Sequence, residues 1–220
     1  MRWLRRALLG ISNSMKTNIK AIIFDWGGVC CREGEPFASS ALQESLQLTP
    51  DEITEKVRNI HKDYYIGKHS RDSFWTAIIK FFSLTENAEI NPVALSNAYL
   101  NSYEVYPDVL DLVLQLQSKY KIGLLSNLTP EMKEQIHRKH DLGKFFHAEV
   151  YSCDRDVQAK KPDLKMYQSI LNKVNFLPEE CLFIDNSLGN IEAAADIGMK
   201  TLLFKDRIQF FTEIKNIIGI

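Results

Sequence analysis

"IKAIIFDWGGV", Ile19–Val29, is the stretch on which the fold turns. The apolar run from Ile19 to Phe24 is too short for a stable helix, and Gly27-Gly28 stop it abruptly, so it reads as a buried strand. A lone carboxylate, Asp25, stands where that strand ends. An Asp ahead of a glycine pair is an ordinary turn residue, and it is equally well placed to be a nucleophile. What else the chain brings to Asp25 decides between the two.

Working outward, similar runs recur at "YKIGLLS", "AEVYS", "CLFID" and "KTLLF", with helical stretches between them. Each run is short, aliphatic and without clean alternation, as expected of strands covered on both faces. The fold class is therefore α/β, a parallel sheet built from βαβ units. Helix starts are marked by Pro107 and by Thr129-Pro130-Glu131, and Gly198 closes the helix after "NIEAAADI". Small residues at Ala193, Ala194 and Ala195 suit close packing of that helix on the sheet.

Between the first strand and Pro107 the pattern changes to helix signals with no strand. Thr49-Pro50-Asp51-Glu52 combines an N-cap, a first-turn proline and a capping-box acid. Ser70 caps a helix whose Phe74, Ile78, Phe81 and Phe82 share one face by spacing, and Asn91-Pro92 starts another. The spacing predicts an all-helical insert over residues 32–102, lying over the carboxyl ends of the strands. Most of its aromatics, Tyr64, Tyr65, Phe74, Trp75, Phe81 and Phe82, are expected in its own core. His61, His69 and Arg71 are candidate specificity residues, and Trp26 a candidate pocket wall.

Composition narrows the function. Apolar residues make up 45% of the 220-residue chain and charged residues 25%, ordinary globular values. With 27 Lys+Arg against 28 Asp+Glu, the chain lacks the basic excess that binding a phosphate backbone demands, so nucleic acid is not the expected partner. No run approaches the roughly 20 apolar residues of a membrane helix. Cys30, Cys31, Cys153 and Cys181 have no C-x-x-C spacing and read as buried thiols of a reducing compartment, the cytoplasm. Residues 1–17, with Arg2, Arg5 and Arg6 and no acid, read first as a disordered or misassigned extension, then as an amphipathic anchor or a transit peptide. His137 and His140 fall on a helix with Lys133, Arg138 and Lys139, a solvated basic face rather than a metal site.

Ligands of open α/β sheets bind beyond the carboxyl ends of the strands. Four groups lie there: Asp25, Ser126-Asn127, Lys161 and Asp185-Asn186. Singly each is capping or turn chemistry; together they form a phosphoryl-transfer set. A carboxylate attacking a phosphate dianion meets repulsion that a divalent cation and a lysine must offset. Asp25 and Asp185 offer two hard oxygen donors to Mg²⁺. Ser126 suits phosphate oxygens, and Lys161 suits both the phosphate and Asp25.

The ordered motifs "FDWGGV", "LLSN", "KKPDLKMY" and "FIDNSLGNIEAAADIGM", with the helical insert after the first strand, resemble the haloacid dehalogenase (HAD)-like hydrolases with a C1-type helical cap. The resemblance implies a Rossmann-like core over residues 18–31 and 103–220, a cap over 32–102, and a phosphatase working through an aspartyl-phosphate. It implies Asp25 as nucleophile, Ser126 and Asn127 at the phosphate, Lys161 as charge stabiliser, and Mg²⁺ held by Asp25, Asp185 and the Gly27 carbonyl, with Asn186 and Asn190 in support. The substrate it implies is a small phosphorylated metabolite, a sugar phosphate among them, and the chain is expected as a monomer or homodimer. The sequence departs from the family pattern at Gly27, where most of the phosphatases carry a second Asp as general acid and base. Losing such a group costs about 10²–10⁴-fold, so hydrolysis of the acyl phosphate is expected to be slow. Two other readings are a metal-independent dehalogenase and a catalytically weak phospho-ligand binder. The first is disfavoured by Asp185 and by the absence of the Tyr those enzymes carry two residues after the nucleophile.

Overall fold

In the computed structural model, which describes residues 18–219, the chain runs β1 (Ala21–Phe24), β2 (Cys31–Arg32), α1 (Ser40–Leu46), α2 (Pro50–Lys56), α3 (Arg58–Tyr65), α4 (Arg71–Phe81), α5 (Pro92–Leu100), β3 (Glu104–Val105), α6 (Pro107–Leu116), β4 (Lys121–Ser126), α7 (Pro130–Lys139), β5 (Ala148–Tyr151), α8 (Leu164–Val174), β6 (Cys181–Asp185), α9 (Leu188–Asp196), β7 (Lys200–Leu203) and α10 (Arg207–Ile218). The expectation for residues 1–17 lies outside the described residues.

Five strands form one sheet in the order β5-β4-β1-β6-β7, every neighbouring pair parallel. The alternation of strand side chains explains the continuous apolar runs. In β1, Ile22 and Phe24 enter one core with Ile122, Leu124, Leu182 and Ile184, whereas Ala21 and Ile23 enter a second with Leu125, Val150 and Phe183. Both faces are buried, so every position must be apolar. The sheet order runs outward in both directions from β1, which makes the carboxyl end of β1 the switch point where a crevice opens.

The helix signals between β1 and β4 hold locally. Thr49 and Glu52 close a capping box on α2, and Ser70 and Asn91 cap α4 and α5. Two details differ from the spacing argument. Phe74 and Ile78 are buried, but Phe81, the last residue of α4, is 53% exposed, and Phe82 and Leu84 just beyond it pack against the core instead. Of the three alanines near the end of α9 only Ala194 is fully buried. The chain also enters and leaves the helical region through an antiparallel ribbon, β2 paired with β3. Its strands have two residues each, too few to register as an alternating pattern.

Candidate active site

Three neighbouring strands deliver three of the four expected groups. Asp25 follows β1, its N–H donating to the Ile184 carbonyl at 2.9 Å; Ser126 ends β4; Asp185 ends β6. Lys161 arrives from the segment between β5 and α8. Asn127 fixes that segment: its Oδ1 accepts the Lys161 N–H at 2.8 Å and its Nδ2 donates to the Lys161 carbonyl at 3.3 Å. The structure thus places the Asn127 side chain on the lysine's backbone.

The side chains converge. Lys161 Nζ lies 2.9 Å from Asp25 Oδ2 and 2.6 Å from Asp185 Oδ2. Ser126 Oγ donates to Asp25 Oδ1 at 2.7 Å, and the Trp26 N–H donates to the same oxygen at 2.7 Å. Asn190, in the first turn of α9, donates through Nδ2 to both Asp185 oxygens at 3.1 Å, and the Ser187 N–H donates to Asp185 Oδ1 at 2.8 Å. Asn186 stands exposed at the rim. Its side chain covers Gly28, where an added Cβ would lie 2.1 Å from Asn186 Nδ2; with φ at +77°, Gly28 is required on both counts.

Asp25, Ser126, Lys161 and Asp185 are all buried. Burial drives the Asp25 carboxyl up to about 7, with Lys161 opposing the shift and Asp185 reinforcing it. Two carboxylates facing a single ammonium leave an excess of negative charge that burial disfavours.

The donor set fits magnesium. Among the described residues no group of three or more His, Cys, Asp or Glu gathers as a metal site, whereas Mg²⁺ takes one or two carboxylates and fills its other positions with water and phosphate. Gly28 N–H donates to Cys31 and Cys31 N–H donates to Trp26. These two bonds straddle Gly27 and leave its carbonyl outside this pairing, where it could serve as a third oxygen donor.

A cleft of about 420 Å³ opens above these groups, within the range of small-molecule sites. Trp26 lines it as expected, and Tyr65 is the member of the insert's expected aromatic set that reaches it. Neither His61, His69 nor Arg71 does: His61 packs against Phe37, Tyr65 and Phe74 instead. His137 hydrogen-bonds Tyr151, and the His140 ring packs on Trp26. Tyr99, Tyr103, Met132 and Glu33 also line the cleft and were not legible in the sequence. Glu33 belongs to the segment after β2. Partial burial of its carboxyl raises it above the ordinary glutamate range, with Lys161 opposing, although the residue as a whole stays exposed.

The family model of the haloacid dehalogenase-like hydrolases matches residues 19–198. The protein belongs to the haloacid dehalogenase-like hydrolases. Among its relatives, D-ribitol-5-phosphate phosphatase of Bacteroides thetaiotaomicron is 25% identical over 83% of this chain and 90% of its own length. Drimenol cyclase drtB of Aspergillus calidoustus is 22% identical over 91% of this chain. This chain spans 37% of that cyclase and 64% of an uncharacterised Dictyostelium discoideum relative. A HAD family enzyme of Bacteroides thetaiotaomicron, crystallised with magnesium and inorganic phosphate, superposes with a TM-score of 0.71 at 20% identity, over 88% of this chain and 99% of its own. Among the described residues no helix is long and apolar enough to cross a membrane.

Proposed function

We propose that the protein is a Mg²⁺-dependent phosphatase that hydrolyses a small phosphate monoester, sugar phosphates first among them, through phospho-Asp25. The observation that carries this reading is Lys161 Nζ held between Asp25 and Asp185 at 2.9 and 2.6 Å. That arrangement gathers a nucleophile, a second anionic donor and a positive charge at one switch point. A relative named D-ribitol-5-phosphate phosphatase and a fold neighbour crystallised with magnesium and inorganic phosphate support it.

Asp25 Oδ attacks phosphorus, and the bond to the leaving oxygen breaks with its electron pair going to that oxygen. Ser126 Oγ turns from Asp25 to the phosphoryl oxygens, and Lys161 offsets their charge. Water then attacks phosphorus and returns the Asp25 carboxylate. Asp25, Asp185 and the Gly27 carbonyl would hold the magnesium, whose charge would offset that of the phosphate and favour ionised Asp25. Asn190 and Ser187 fix Asp185, and Asn127 fixes Lys161. Residues 32–102 act as the cap, supplying Tyr65 and Tyr99 to the substrate side of the cleft.

The test is release of inorganic phosphate from sugar phosphates, nucleotides and p-nitrophenyl phosphate, with Mg²⁺ or EDTA, beside Asp25→Asn. Release that needs metal and disappears in the variant is the expected result. Undiminished release by Asp25→Asn overturns the reading. The same variant separates an enzyme from a phospho-ligand binder, which keeps its ligand without the nucleophile.

A further inference from the structure

Gly27 has no conformational reason to be glycine. Its φ lies outside the left-handed region, unlike that of Gly28, and the neighbour a side chain there would meet is itself a flexible side chain. A Cβ built on Gly27 would meet Glu33 before anything else: Cγ at 3.3 Å, Cδ at 3.4 Å and Oε1 at 3.6 Å. An acid at position 27 would extend into the region that the Glu33 carboxyl already fills. Glu33 lines the same cleft as Asp25, Ser126 and Lys161. Its carboxylate enters no hydrogen bond or ion pair among the described residues, and the residue is exposed, so water reaches it. A free carboxyl beside the nucleophile, occupying the place of a missing one, is positioned for proton transfer.

We propose that Glu33 carries the proton of this reaction, reaching over Gly27 from the segment after β2 to do the work of the absent second aspartate. The inference rests on the two-step reading above. In the first step the Glu33 carboxylic acid gives its proton to the leaving oxygen as the P–O bond breaks, releasing an alcohol and leaving the Glu33 carboxylate. In the second, that carboxylate takes a proton from the attacking water while the electron pair of the acyl-phosphate bond returns to Asp25. Phosphate leaves and Glu33 is protonated again.

The experiment is rapid-mixing kinetics with p-nitrophenyl phosphate and Mg²⁺, comparing wild type, Asp25→Asn, Glu33→Gln and the double variant Gly27→Asp/Glu33→Ala. Nitrophenolate leaves without an acid, so Glu33→Gln is expected to keep a burst of one nitrophenolate per site. Its steady-state turnover then falls by about 10²–10⁴-fold as phospho-enzyme accumulates. The double variant moves the carboxyl to position 27, into the room Glu33 vacates, and is expected to restore turnover. Wild-type steady-state rates in Glu33→Gln overturn the inference, as does loss of its burst or failure of the double variant to recover. If Glu33→Gln does not fold, the double variant decides alone: turnover near wild type supports the inference and a slow rate overturns it. Absence of any Asp25-dependent release in wild type overturns the two-step reading itself, which separates that failure from the failure of Glu33.

Discussion

With its ammonium 2.9 Å from Asp25 and 2.6 Å from Asp185, and 2% of its surface exposed, Lys161 compensates two carboxylates where water screens poorly. Removing one partner of a buried ionic cluster leaves charges that burial penalises, at a cost of about 3–5 kcal/mol. Lys161→Met is therefore expected to lose about that much stability at neutral pH by urea denaturation, and to lose phosphate release as well. Retained stability would mean that the carboxylates are held by their other donors alone. Asp25, Ser126 and Asp185 were legible in the sequence because each stands at the end of an apolar run, and the parallel sheet then fixes where such residues meet; Lys161 was legible only as the basic group in the segment between a fourth run and the next helix. Glu33 was not legible. It lies eight residues beyond Asp25 in an exposed segment, and only the return of the chain over Gly27 brings its carboxyl to the cleft.

Between elements, Glu131 in the first turn of α7 ties the helical insert to the core. Trp75 Nε1 of α4 donates to its Oε1 at 2.9 Å, and Ser96 Oγ of α5 donates to its Oε2 at 2.6 Å. Glu131→Ala strands both buried donors, at about 1–3 kcal/mol each. Glu131→Gln keeps an acceptor for Trp75, and the Ser96 hydroxyl can rotate to accept from the amide, so it is expected to cost less than about 1 kcal/mol. Burial raises the Glu131 carboxyl above 4.5, with the Ser96 bond opposing. The folded state holds this proton more tightly than the unfolded state does. The group's stabilising contribution is full below pH 4.5 and is lost as pH rises through the folded value. Unfolding midpoints at pH 4.5 and 7 are expected to move in favour of Glu131→Gln over wild type as pH rises; a constant gap would show that Glu131 ionises without penalty. The sequence marked Glu131 only as a first-turn acid, because capping is local whereas its partners come from helices many residues away. Phe81 shows the converse: helical spacing assigned it to the buried face, but α4 ends at this residue and Phe82 beside it takes the contact with the core.

At the scale of the whole molecule, the proposed cation site would couple chemistry to stability. A ligand that binds only the folded state at ten times its Kd adds about 1.4 kcal/mol, a rise of about 3–6 °C in Tm for a chain of this size. Mg²⁺ is expected to produce such a rise in wild type and none in Asp185→Asn, read by thermal melts with EDTA as control. An equal rise in both proteins would place the cation elsewhere. The overall architecture was legible because buried parallel strands announce themselves as unbroken apolar runs. The ribbon through which the insert joins the core was not, and it reaches furthest. Since Cys31 pairs with Val105 and Arg32 with Glu104, the chain departs and returns at adjacent points, and the helices between them form a cassette that descent can exchange without reordering the sheet. Glu33 lies just inside that cassette. A lineage that swaps the insert to change its substrate therefore exchanges the proton carrier with it, and must either inherit another acid in the incoming segment or restore one at position 27.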